Sequence, residues 1–113
     1  MKNKILSLTN SNDFKSILNG KKITNKYLTI FFKKLSDKNE KKLNLSIVTK
    51  KKIGNAVLRN KIKRRLKNIM NDALKEISFN LNYSYILIAK KTVSVDCFER
   101  IKNTIINDFE RIK

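Results

Sequence analysis

An α/β sandwich is the fold class that the sequence predicts, with its elements in the order helix, two or three strands, helix, strand, helix. Three observations predict it. Runs rich in β-branched and aromatic residues at 22–33 and 43–49 precede a long helical period of apolar residues over 62–77. A strongly apolar run at 83–89 has strand length, and a second helical period closes the chain. With 113 residues the chain can bury one hydrophobic core but not two, so residues 1–113 read as a single domain.

Asn10, Ser11, Asn12 and Asp13 offer N-cap candidates for a short first helix, in which Phe14, Ile17 and Leu18 recur at helical spacing before Gly20 ends it. Alternation within 22–33 puts Leu28, Ile30 and Phe32 on a core face. Tyr27, Thr29 and Phe31 fall on the other, where Phe31 is either covered by the first helix or open to a ligand. The polar segment 34–42 reads as a hairpin loop, which makes 43–49 the antiparallel partner of the preceding strand. After a turn at Gly54 and Asn55, Ile62, Leu66, Ile69, Ala73 and Ile77 trace one face of a long helix. The nearly continuous apolar character of 83–89 predicts a strand covered on both faces. Ser94 is the expected N-cap of the last helix, with Phe98, Ile101, Ile105, Phe109 and Ile112 on its buried stripe.

Charge narrows the class of partner. The formal net charge is +18, and self-repulsion of that size favours a chain that habitually meets a polyanion. Residues 50–67 hold nine basic residues among eighteen, with no acid. On the long helix Asn60, Arg64, Lys67 and Asn71 lie opposite the apolar face, flanked by Lys63 and Lys61, so the charge forms one stripe. Arg59, Arg64 and Arg65 are three of only five arginines in a chain that otherwise uses Lys. Guanidinium forks match phosphate oxygens, and Asn60 can meet a base edge or a 2′-hydroxyl.

Catalysis by the chain itself is not expected. It has no His, its acids form no close pair in the basic half, and its one cysteine, Cys97, has no imidazole to activate it. Cys97 reads as a small helix residue, and a single cysteine fits a reducing cytoplasmic compartment. Gly54 stands alone, so no phosphate-cradling loop is present. No stretch reaches the apolar length of a membrane span, and the basic start of the chain has too short an apolar part for a secretory signal.

The run Lys51-Lys52-Ile53-Gly54-Asn55-Ala56-Val57-Leu58-Arg59-Asn60-Lys61-Ile62-Lys63-Arg64 resembles the signature of the bacterial ribonuclease P protein subunit: Lys-Lys, Gly-x-Ala-Val and Arg-Asn-x-x-Lys-Arg in that order. Asp13-Phe14, Asn25-Lys26-Tyr27 and Ile86-Leu87-Ile88-Ala89-Lys90 extend the resemblance across the chain. It implies an α/β domain with a left-handed crossover through the long helix, where the general rule favours the right-handed one. It also implies an endonuclease subunit whose catalytic RNA, with RNA-bound Mg2+, removes the 5′ leader of precursor tRNA. By the same resemblance Lys51, Arg59, Asn60, Lys61, Lys63, Arg64 and Lys67 contact the catalytic RNA. Phe14, Leu18, Phe31, Lys52 and Lys90 line a cleft for the single-stranded leader, where aromatic faces in a cationic groove suit unpaired bases. The chain departs from the pattern at Lys67, where Arg is usual, at Phe31, where Tyr is expected, and at Leu18, often an aromatic. A ribosome-associated structural protein is the alternative reading. A DNA-binding module is disfavoured, because strands and not a second helix flank the long helix.

Overall fold

Tyr83–Ala89, the apolar strand, lies at the centre of a five-stranded sheet, and its position sets the rest of the architecture. The computed structural model describes residues 5–6, 11–34, 43–80 and 82–112. In chain order the elements are β1 (Ile5–Leu6), α1 (Ser11–Leu18), β2 (Lys21–Thr24), β3 (Leu28–Lys34), β4 (Leu43–Val48), α2 (Ala56–Glu76), β5 (Tyr83–Ala89) and α3 (Phe98–Glu110). Short 3₁₀ turns at Lys51–Ile53 and Lys91–Ser94 precede α2 and α3. The expected cap at Asn10 and the expected loop beyond Lys34 lie outside the described residues.

The sheet order is β1-β4-β5-β3-β2. β5 pairs antiparallel with β3, Phe31 opposite Ile86, and parallel with β4, Ser46 opposite Ile86. The expected hairpin between β3 and β4 is therefore corrected, since β5 stands between them. The reason is burial: the strand that is apolar on both faces gains most from the central position, and the two half-polar strands take its sides. Because β4 and β5 run parallel, α2 must carry the chain back between them as a crossover.

Asn25 breaks what alternation reads as one strand. Its Oδ1 accepts from the backbone N–H groups of Tyr27 (2.7 Å) and Leu28 (3.0 Å), an Asx turn that ends β2 and starts β3. Tyr27 thus precedes the strand and leaves the face assigned to it. Its ring enters the main core, 2% exposed, and its hydroxyl donates to Asp96 at 2.5 Å.

One face of the sheet packs on α2 and α3. Leu28, Ile30, Phe32, Leu45, Tyr85 and Leu87 meet Ile62, Leu66, Ile69, Met70 and Ala73 of α2 and Ile101, Ile105 and Phe109 of α3. Met70 joins the stripe expected for α2, and Ile77 caps its end instead of continuing it. α1 covers part of the opposite face, contacting β3 and β5 with Ile17 fully buried. Gly20 lets the chain leave α1 flush against β3, for a Cβ there would stand 2.7 Å from the Phe32 carbonyl oxygen.

Helix starts differ from expectation once. Asn55 caps α2 through its Oδ1, which accepts from the Leu58 N–H at 2.9 Å. Ser94 does not cap α3: it belongs to the 3₁₀ turn, its hydroxyl donating to the Lys91 carbonyl, and Cys97 takes the cap position. Asp96 accepts the Cys97 N–H at 2.9 Å, and no side-chain bond caps the first turn of α3.

Candidate nucleic-acid interface

α2 presents its basic residues because its apolar residues have no alternative. Ile62, Leu66 and Ile69 are fully buried, which turns Asn60, Lys61, Lys63, Arg64 and Lys67 outward, all of them exposed. The first turn has no acid to neutralise them. Lys51 is exposed in the preceding 3₁₀ turn. The three arginines of the stretch have different surroundings. Arg64 faces water; Arg59 is half-buried with its Nε enclosed and unpaired; Arg65 turns inward and donates to the Val93 carbonyl at 2.9 Å. Arg65 therefore ties α2 to the Lys91–Ser94 turn, and the arginine count overstates the outward cationic surface.

Asn60, Lys63, Arg64 and Lys67 come together against β4. With Leu45, Ser46 and Ile47 they line an open groove of about 600 Å3. Ser46 and Ile47 carried no signal in the sequence, since a strand residue becomes part of a groove only once a helix is laid beside it.

The second set of residues lies on the sheet face that carries α1. There the cross-strand rows read Lys22, Phe31, Ile86, Ser46 and Thr24, Thr29, Ile88, Val48. Phe14, Leu18 and Phe31 are each half-buried, so α1 covers this face incompletely and leaves ring surface accessible. Lys52 and Lys90 line one cavity of about 380 Å3 with Thr29, Ile88, Lys50 and Lys91. Lys50 opens the basic stretch and Lys91 follows the apolar strand, but neither was assigned to the cleft; they converge because β4 and β5 are parallel neighbours and end side by side.

A polar network fixes the rim of that cavity. Lys90 donates its Nζ to the Asn25 carbonyl at 2.7 Å and its backbone N–H to the Tyr27 carbonyl at 2.8 Å. Asn25 Nδ2 donates to Asp108 at 2.7 Å, and Thr92 Oγ1 donates to the Lys26 carbonyl at 2.6 Å. Asp96 accepts from the Tyr27 hydroxyl and pairs with Arg100 (3.2 Å) and Lys26 (3.7 Å). The Tyr27 hydroxyl, then the Cys97 N–H and the two cations, hold the Asp96 carboxyl below the usual carboxylate range. A carboxyl whose folded pKa is depressed stabilises the fold above its unfolded pKa, about 3.9, and that contribution disappears as pH falls through the folded pKa. Asp96→Asn is accordingly expected to flatten the acid limb of a melting-temperature profile below about pH 4; an unchanged acid limb would place the acid sensitivity elsewhere.

Among the described residues no group of three or more His, Cys, Asp or Glu is placed to hold a metal ion. No described helix is long and apolar enough to cross a membrane. Positive charge is concentrated on the first half of α2 and at the ends of β4 and β5. The second half of α2 faces α3 through the bridge between Glu76 and Lys102 at 2.6 Å.

The family model described as Ribonuclease P matches residues 2–113. The chain belongs to the ribonuclease P protein family. It is 33% identical over 108 residues to the ribonuclease P protein component of Carboxydothermus hydrogenoformans, spanning 92% of this chain and 88% of that one. To the ribonuclease P protein component of Mycoplasma mycoides it is 32% identical over 113 residues, the whole of both chains. The ribonuclease P protein of Thermotoga maritima superposes on it with a TM-score of 0.77 at 26% identity, covering 96% of this chain and 98% of that one. The ribonuclease P protein fold is thus the mixed α/β arrangement described above, with its helices in the expected order around the sheet.

Proposed function

We infer that the chain is the protein subunit of a ribonuclease P, a single RNA-binding domain that assists a catalytic RNA in removing the 5′ leader from precursor tRNA. Lys51, Arg59, Asn60, Lys61, Lys63, Arg64 and Lys67 dock the catalytic RNA. The sheet face beside α1, with Phe14, Leu18, Phe31, Lys52 and Lys90, receives the leader. One observation carries the leader assignment: Lys52 and Lys90, distant in sequence, line the same cavity beside the sheet face that bears Phe31. A cationic rim next to accessible aromatic surface is the arrangement that single-stranded RNA recognition uses without strong base preference. Cleavage belongs to the RNA and its Mg2+ ions.

Reconstitution tests this reading. The protein alone should cleave nothing; added to the cognate RNA, it should lower the Mg2+ concentration needed for cleavage and tighten precursor over mature tRNA. Equal binding of precursor and mature tRNA would remove the leader role. Co-sedimentation with ribosomes, together with no effect on processing, would favour a structural ribosome-associated protein.

A further inference from the structure

Among the described residues Asp108 is the one charged side chain that the fold buries, with 7% of its surface exposed on α3. A carboxylate taken out of water destabilises the fold unless strong contacts offset the cost. Its Oδ2 accepts from Asn25 Nδ2 at 2.7 Å, while its Oδ1 meets the exposed Arg111 guanidinium only at 3.6 Å. The firm contact of this carboxylate is therefore the Asn25 amide.

That contact decides which way the amide points. A carboxylate can only accept, so it takes the NH2 end and leaves Oδ1 for the backbone N–H groups of Tyr27 and Leu28. The Asx turn thus has its shape set from α3. Its three consecutive carbonyls are then all taken by residues 90–92. The Asn25 carbonyl accepts from Lys90 Nζ at 2.7 Å, the Lys26 carbonyl from Thr92 Oγ1 at 2.6 Å, and the Tyr27 carbonyl from the Lys90 N–H at 2.8 Å. Lys90 is held at its backbone and at its tip by one turn. It also lines the cavity of about 380 Å3, on the sheet face opposite α3.

We propose that Asp108 is a positioning residue for leader recognition: through Asn25 it fixes the carbonyl that holds Lys90 Nζ at the cavity, without itself touching RNA. The proposal rests on the reading of Lys90 as a leader contact.

The test is the preference for precursor over mature tRNA, measured by binding to the holoenzyme reconstituted from the full chain and its cognate RNA, at fixed salt and well below every variant's melting temperature. Lys90→Ala should lower that preference by about tenfold. Asn25→Asp sets a second carboxylate against Asp108 and should lower it by at least about fivefold. The exchange N25D/D108N re-forms the bond with donor and acceptor reversed and keeps the net charge, so it should restore the preference to within about twofold. Ile105→Val, also buried on α3, should lower the melting temperature and leave the preference intact. Should N25D not fold, Asp108→Ala removes the acceptor alone: it should cost about threefold, and D108A/K90A should lose no more than K90A. Full preference in N25D or D108A beside a loss in K90A would overturn the proposal. So would a failed exchange, additive losses in D108A/K90A, or an equal loss in I105V. An unchanged preference in K90A would instead overturn the leader reading on which the proposal rests.

Discussion

Replacing Arg64 and Lys67 together with Glu is expected to lower affinity for the catalytic RNA by about two orders of magnitude, since two charge-assisted contacts are lost. Both residues are exposed on α2, so the fold should survive, with an unchanged circular dichroism spectrum and melting temperature. Salt dependence gives the sharper readout. Each phosphate contact contributes about −0.9 to the slope of log affinity against log salt, so the double variant should lose about two units of slope. A large affinity loss with an unchanged slope would mean that the contacts are to bases and not to phosphates. No affinity loss would move the docking surface off α2.

The second large effect is on stability. Leu66 is fully buried midway along α2, against the sheet and beside Ile62, Ile69 and Met70. Truncation to Ala should cost about 2–5 kcal/mol, out of about 5–15 kcal/mol for a domain of this kind. Urea denaturation should show a lower midpoint with the same slope. On the proposed reading the cognate RNA prefers the folded form, so part of this loss should be recovered on adding it. A loss under about 1 kcal/mol would mean that α2 is not anchored through this side chain.

What the sequence revealed depended on whether the signal was local. The spacing of Ile62, Leu66, Ile69 and Ala73 identifies the buried face of α2, and it also determines which basic residues point outward. The strand 83–89 was bounded correctly because its apolar run is continuous. Pairing was not legible: alternation in 43–49 shows which residues share a face but not which strand lies beside them, and the parallel partner is thirty residues or more away in the chain. The Asn25 turn was hidden inside an otherwise strand-like run, since only the side-chain bonds to Tyr27 and Leu28 reveal it. The same limit holds at the site. Arg65 looks like its neighbours in sequence, yet the arrival of the Lys91–Ser94 turn gives it an internal acceptor. The shared cavity of Lys52 and Lys90, likewise, exists only once β4 and β5 are side by side.

The bond from Lys90 Nζ to the Asn25 carbonyl has a consequence for affinity. A free lysine gives up roughly 1.5–2 kcal/mol of rotamer freedom when a ligand fixes it. Lys52, exposed on its turn, bears that cost at the moment of binding. Lys90 has already lost this freedom during folding, held by a carbonyl that leaves two ammonium hydrogens for another acceptor. On the proposed reading, the cavity pairs one preorganised cation with exposed ones: the first would give a fixed point of attachment, and the others would follow a leader strand whose sequence and conformation change from one substrate to the next.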